Sequence, residues 1–161
     1  MFSNNFRFFD KINVPLDQVI PVDASKPTVQ ECAEDYEAKL RPLFNSNGGF
    51  DIILLGMGLD GHTCSLFPDH SSFEEGKTSN RLVIPCLNSP KPPPYRVTLT
   101  FKYINRSSYL IFNALGESKA DVLKRILNDD DDKSLPSANV EPELPDGVLI
   151  WFIDQPAASQ L

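Results

Sequence analysis

Apolar residues recur in two patterns along the chain, and together they predict alternating strands and helices. Short, almost continuous apolar runs predict strands at 50–55 (FDIILL), 109–115 (YLIFNAL) and 148–153 (VLIWFI). An apolar residue at every third or fourth position from Val29 to Phe44 predicts an amphipathic helix. Strands that are apolar throughout are typical of parallel sheets that helices cover on both faces. We therefore predict an α/β fold with a mainly parallel sheet covered by helices.

Helix-capping residues, glycines and prolines indicate where the predicted elements begin and end. Thr28 and Glu31 have the spacing of a capping box at the start of the helix, and the pair Gly48-Gly49 is expected to end it. The proline run 92–94 excludes regular structure around it. Further predicted elements are strands at 18–22, 81–87 and 97–100 and a helix at 119–128. We find no repeat and no second domain, so residues 1–161 are predicted to form a single domain.

The composition and net charge of the chain make some classes of binding partner improbable, namely nucleic acids and membranes. The 161 residues include 22 acidic and 15 basic side chains, a formal net charge of −7, which disfavours binding to nucleic acid. Any phosphate site must therefore be locally basic. The apolar runs are shorter than the about 20 residues of a membrane-spanning helix, and the first residues lack the apolar segment of a secretion signal. With three scattered cysteines, these features predict a soluble cytoplasmic protein with reduced thiols and no membrane partner.

Three glycines, Gly56, Gly58 and Gly61, follow the strand at 50–55. The ends of strands are where α/β proteins bind ligands, and glycine lets the backbone approach a ligand closely. The spacing also matches the dinucleotide-binding motif. However, no acidic residue ends a following strand about 20 positions later, and Pro68 leaves little room for the long helix of that motif. We expect the glycines to contact a substrate, and we expect no cofactor.

Asp60 and His62 flank the third glycine and are the best acid–base candidates in the chain. An imidazole titrates near neutral pH, and a neighbouring carboxylate can fix its tautomer. On residue type alone, a histidine in a loop is more often structural, so that alternative stays open. Asp69 and His70 could join the pair around a metal ion, but their spacing matches no known metal motif, so we expect none.

The segment from Leu55 to His70, LGMGLDGHTCSLFPDH, resembles the motif of the 6-phosphogluconolactonase family. The related glucosamine-6-phosphate deaminases share its glycine core but continue with a Phe-Asn-Glu-Pro sequence. This chain has Ser65-Leu66-Phe67-Pro68 there, which favours the lactonases. Three more segments resemble blocks of the same family in the same order: SPKPPPYRVTLTFKYIN, LGESKADVLKRIL and LPDGVLIWFIDQPAA.

The resemblance implies hydrolysis of 6-phospho-D-glucono-1,5-lactone to 6-phospho-D-gluconate in the oxidative pentose phosphate pathway. It implies that His62 is the general base, with Asp60 beside it, and that Lys119 binds the substrate phosphate. Arg96 is expected to contact the phosphate or hydroxyls of the substrate. A solvated lysine and a surface arginine stay open as alternatives for these two residues. The adjacent reaction in the pathway suggests a dehydrogenase as a further partner.

The resemblance does not extend to the front of the family. The chain starts at the block that the family writes as Ser-Asn-Tyr, here Ser3-Asn4-Asn5-Phe6. The family's earlier phosphate loop and Asp-Glu-Arg block have no counterpart here, so we expect an N-terminally truncated domain that is inactive alone. Two other functions stay open: a non-catalytic module that binds a sugar phosphate or a protein, and an aminosugar-phosphate isomerase.

Overall fold

The computed structural model describes residues 11, 13–44, 48–129 and 132–161, and the predicted block from Ser3 to Phe6 lies outside them. None of the helices in those ranges is long and apolar enough to cross a membrane. The strands are β1 (Ile52–Gly56), β2 (Val83–Cys86), β3 (Arg96–Leu99), β4 (Tyr109–Ala114) and β5 (Val148–Ile153). The helices are α1 (Val29–Leu40), α2 (Ser71–Thr78), α3 (Phe101–Ile104) and α4 (Ala120–Lys124).

The main sheet is parallel and has the strand order β1-β4-β5. Its register aligns Ile52 with Tyr109, and Tyr109 with Val148. Strands β2 and β3 pair with each other in a separate antiparallel sheet. The predicted α/β fold is confirmed. The predicted parallel pairing holds for the main sheet, whereas β2 and β3 are antiparallel.

The inner face of the main sheet packs on the larger of two hydrophobic clusters. Leu55 and Phe112 contribute to it from the sheet and Leu123 from α4. The indole of Trp151 stacks on Phe112, with ring centroids 3.9 Å apart. In the second cluster, Ala33 of α1 packs with residues at the start of β2. The larger cluster buries Ile53 and Leu55 of β1, whose end carries the glycine motif.

Helix α1 begins as predicted and ends earlier. The side chain of Thr28 accepts a hydrogen bond of 3.1 Å from the backbone N–H of Glu31. The α-helix ends at Leu40, and one 3₁₀ turn follows at Arg41–Leu43. Both lie well before Gly48 and Gly49, where the sequence predicts the end of the helix. Pro42 explains the early end, because it lacks the N–H group that would continue the α-helical hydrogen bonds.

Two other element predictions need correction. The strand predicted at 18–22 is wrong: a 3₁₀ turn at Leu16–Gln18 leads into irregular chain, and Pro21 cannot donate a sheet hydrogen bond. The helix predicted at 119–128 is α-helical over α4 alone, and a π-helical turn follows at Arg125–Asp129. Helix α2 escaped prediction because Phe73 is its one large apolar residue.

One face of the main sheet, here called the outer face, is left exposed by the described residues. Burial alternates along β1, where Ile52 and Leu54 are 57% and 78% exposed. Tyr109 and Phe152 continue this face on β4 and β5 and are also exposed. The apolar run at 50–55 predicted a strand that is buried on both faces. In the structure, only the inner face of β1 is buried by the described residues.

The outer face predicts self-association of the 161-residue chain, because exposed contiguous apolar surface favours contacts between molecules. Leu54→Lys places a charge on this face without touching the buried side of β1. We expect it to raise the monomer fraction, measured by sedimentation velocity over a range of concentrations. Leu161→Lys changes an exposed leucine outside the sheet and should leave association as it is. A chain that is monomeric without any substitution would contradict the prediction.

Candidate active site

The glycine loop, residues 56–62, turns back on itself directly after β1. The N–H of Gly58 donates to the carbonyl oxygen of His62 at 2.8 Å, and the N–H of Gly61 donates to that of Gly58 at 3.1 Å. These two N–H groups therefore fix the shape of the loop. Contact between the glycines and a substrate stays a prediction.

The three glycines meet different steric demands. Gly61 has a φ of +77°, a conformation that side-chain-bearing residues rarely adopt. A Cβ atom on Gly58 would lie 2.0 Å from Nδ1 of His62 and 2.5 Å from Oδ1 of Asp60. A Cβ atom on Gly56 would have no described atom within 4 Å beyond its chain neighbours. Gly58 is thus the glycine that makes room for the acid–base candidates.

Asp60 and His62 form a hydrogen-bonded pair within this loop. Oδ1 of Asp60 lies 2.6 Å from Nδ1 of His62. Because an ionised carboxylate only accepts hydrogen bonds, Nδ1 carries the proton and Nε2 carries the lone pair. Among the described residues, none forms a hydrogen bond with Nε2. The ring packs on Phe67, with ring centroids 4.4 Å apart. The pair therefore presents one basic nitrogen with a fixed direction.

Lys91 completes the pair, although the sequence analysis did not single it out. Its Nζ lies 2.9 Å from Oδ2 of Asp60 and 3.5 Å from Nδ1 of His62. Burial alone would raise the pKa of Asp60, but the hydrogen bonds from Lys91 and His62 outweigh it and lower the pKa to about 2. Asp60 therefore stays ionised at neutral pH. The stability gained from its ionised form is present above the ordinary pKa of 3.8 and is lost as the pH falls towards 2.

Lys119 reaches the glycine loop from the turn before α4. Its Nζ donates to the carbonyl oxygen of Met57 at 2.5 Å. Burial lowers the pKa of Lys119, the Lys91 cation lowers it further, and Asp60 opposes both. Two ammonium groups thus accompany one carboxylate, so this part of an acidic chain is locally basic, as a phosphate site requires.

Arg96, at the start of β3, binds the proline-rich loop that carries Lys91. Its guanidinium donates to the carbonyl oxygens of Lys91 at 3.0 Å, Pro92 at 2.6 Å and Pro93 at 3.0 Å. Its Cζ atom lies 5.5 Å from the ring centroid of Phe67. These contacts hold the loop in place. Contact between Arg96 and a substrate stays a prediction.

The second histidine and the nearby thiol have structural environments. His70 caps α2: its Nδ1 accepts from the N–H of Ser72, and its Nε2 donates to the carbonyl oxygen of Leu87. Burial raises the pKa of the Cys64 thiol to about 11, which leaves it a poor nucleophile. Within the described ranges, no group of three or more His, Cys, Asp or Glu side chains is arranged to hold a metal ion.

The family model of glucosamine-6-phosphate isomerases/6-phosphogluconolactonase matches residues 4–151. The chain belongs to this family. It is 48% identical to human 6-phosphogluconolactonase over 153 residues, which is 94% of this chain and 57% of that protein. A Drosophila melanogaster relative, named a probable 6-phosphogluconolactonase, is 43% identical over 89% of this chain and 56% of its own length. The chain thus spans about half the length of the curated relatives it matches.

Solved structures of this family share the fold. A 6-phosphogluconolactonase from Trypanosoma brucei superimposes with a TM-score of 0.76 at 30% identity, over 92% of this chain and 63% of that one. One from Thermotoga maritima gives a TM-score of 0.75 at 34% identity, over 90% of this chain and 60% of that one. A monomeric glucosamine-6-phosphate deaminase, at 21% identity, shares the fold alone.

The steric role of Gly58 gives a prediction about the Asp60–His62 pair. Gly58→Ala should force both side chains to move, because the new methyl group overlaps the hydrogen-bonded atoms. We expect a loss of about 1–3 kcal/mol in the free energy of unfolding and displaced NMR signals of the His62 ring. Gly56→Ala is the matched control, since its added methyl group meets open space. Unchanged His62 signals in Gly58→Ala would contradict the geometry.

Proposed function

We propose that this site belongs to a 6-phosphogluconolactonase, which hydrolyses 6-phospho-D-glucono-1,5-lactone to 6-phospho-D-gluconate in the pentose phosphate pathway. One observation carries the proposal: the Asp60–His62 pair presents a basic Nε2 beside two lysines. The relatives from human and Trypanosoma brucei, which bear this name, support it.

In the first step, Nε2 of His62 takes a proton from a water molecule. The water oxygen bonds to the carbonyl carbon of the lactone, and the electron pair of the C=O double bond moves to the carbonyl oxygen. The resulting imidazolium keeps its Nδ1–H bond to Asp60. Because Asp60 is ionised, it stabilises that positive charge.

In the second step, the electron pair on the former carbonyl oxygen re-forms the C=O double bond, and the bond between this carbon and the ring oxygen breaks. Nε2 returns its proton to the ring oxygen, which becomes a hydroxyl group, and His62 is neutral again. The new carboxylic acid then loses its proton to solvent. These steps use water and the side chains of the pair.

Lys119 is assigned to the substrate phosphate. Its ammonium group donates to a backbone carbonyl oxygen, Met57 O, and not to a carboxylate. A phosphate oxygen is a stronger acceptor, because charge-assisted hydrogen bonds exceed neutral ones. Lys91 adds positive charge nearby.

The alternatives have less support. The deaminases of the family carry a glutamate where this chain has Phe67, and the Phe67 side chain is fully buried here. A non-catalytic module would bind the phosphorylated lactone without turnover, which the assay below distinguishes. We also propose that residues 1–161 form one domain, because Phe50 and Leu99 pack against both hydrophobic clusters. A location in the cytoplasm stays an expectation. Association with a dehydrogenase of the pathway stays an expectation.

His62→Ala tests the proposed base. We expect kcat to fall about 10²- to 10⁴-fold with little change in KM, measured by coupling 6-phosphogluconate formation to its dehydrogenase. Two proteins are assayed: this chain alone, and this chain joined to the segment of human 6-phosphogluconolactonase that does not align with it. His70→Asn is the matched control, because asparagine also caps helices. A variant that keeps more than about a tenth of the rate would show that His62 is not the base, and binding without turnover would favour the non-catalytic module.

Lys119→Ala tests phosphate recognition. A charge-assisted contact is worth about 1.5–3 kcal/mol, so affinity for the phosphorylated lactone should fall about 10- to 150-fold. Affinity for unphosphorylated gluconolactone should barely change. Competition experiments that follow the inhibition constants of both lactones measure the difference. Equal losses for the two lactones would assign Lys119 to the scaffold.

A further inference from the structure

We propose that Lys91 is a positioning residue for the Asp60–His62 pair: it orients the carboxylate and favours the unprotonated, basic form of His62. This inference rests on the proposed function, in which Nε2 of His62 accepts a proton. It concerns a side chain that touches both members of the pair and to which the reaction steps above give no part.

Lys91 belongs to a closed ring of contacts around the pair. Asp60 bonds His62 through Oδ1 and Lys91 through Oδ2, so both carboxylate oxygens have a fixed direction. His62 packs on Phe67, and the guanidinium of Arg96 lies over the same phenyl ring. Arg96 closes the ring by donating to the carbonyl oxygen of Lys91. Rotation of Asp60 would therefore break contacts on both sides.

The backbone of Lys91 is itself held by hydrogen bonds. The hydroxyl group of Ser89 donates to the carbonyl oxygen of Lys91 at 2.8 Å, and the N–H of Lys91 donates back to that hydroxyl at 3.3 Å. Ser89 also donates its own N–H to the carbonyl oxygen of Pro94. With Arg96, these bonds hold the loop on both sides of Lys91. A lysine on such a loop places its charge more precisely than a lysine on a free surface.

Lys91 also acts on His62 electrostatically. Among the described charged groups, Asp60 and Lys91 lie directly against the ring of His62. Arg96 of β3 lies over Phe67, on which the ring packs, and Lys119 from the turn before α4 interacts with Lys91 and Asp60. Asp60 favours the imidazolium form of His62, and the ammonium group of Lys91, 3.5 Å from Nδ1, opposes it. Removing Lys91 leaves the carboxylate less compensated, which favours the imidazolium form of His62, and an imidazolium cannot act as a base.

The test compares Lys91→Met with Lys91→Arg by NMR titration of the imidazole rings in the 161-residue chain. The chain has two histidines, so His70 serves as an internal reference. We expect the midpoint of the His62 titration to rise by about one pH unit in Lys91→Met. It should stay in place in Lys91→Arg, which keeps the charge. Lys39→Met is the matched control, because it removes a lysine from the surface ion pair with Asp35.

Kinetics provide a readout that a merely structural role would not move. In Lys91→Met, the acidic limb of the kcat/KM profile for the phosphorylated lactone should move by the same amount to higher pH. The loss should be about 10-fold on that limb and should vanish at alkaline pH, whereas a structural defect lowers the rate at every pH. Lys91→Arg should restore the profile.

The two experiments separate this inference from the proposed function. An unchanged His62 titration in Lys91→Met, or an equal shift in Lys39→Met, overturns the role of Lys91 whether or not the lactone is hydrolysed. If the unsubstituted protein turns over no lactone, either as the 161-residue chain or joined to the segment of the human relative, the proposed function fails. The NMR titration still decides what Lys91 does to His62.

Discussion

The hydrogen bond between Asp60 and His62 is the interaction on which the rest of the site depends. Two residues separated by one position reach each other only if the chain turns tightly between them. Gly61 supplies the turn with its positive φ, and Gly58 leaves the space that both side chains occupy. The buried inner side of β1 then holds this loop in a fixed place at the end of the sheet.

Net charge describes the site poorly, because the relevant charges are local. The chain carries a formal charge of −7, yet Lys91 and Lys119 approach closely enough for one to lower the pKa of the other. Asp60 compensates part of this positive charge and is held ionised by it. The same cluster thus holds the charges for both proposed roles, phosphate binding and control of a base, without a strongly basic surface.

The features that could be predicted from the sequence are the local ones. Strand β5 matches its prediction and β4 differs by one residue, because an apolar run needs no knowledge of the rest of the chain. The Asp60–His62 pair is equally local. Lys91 lies 29 positions from His62, and its contact with the pair arises from tertiary packing that no motif spacing reveals. The exposed outer face also escaped prediction, since an apolar run does not say what packs on each side.

The side chains that orient His62 are different from those that form the exposed outer face of the sheet. The ring of contacts around His62 passes through Phe67 and Arg96, and Phe67 is fully buried on the covered side of the molecule. Leu54 and Phe152, on the outer face, take no part in it. Because the side chains of Leu54 and Phe152 lie on the opposite face of the sheet from the buried residues of β1, a change on the outer face should alter association and stability while the direction of Nε2 persists. The basic nitrogen is thus positioned by neighbours drawn from within residues 56–96, before any contact with a substrate is counted.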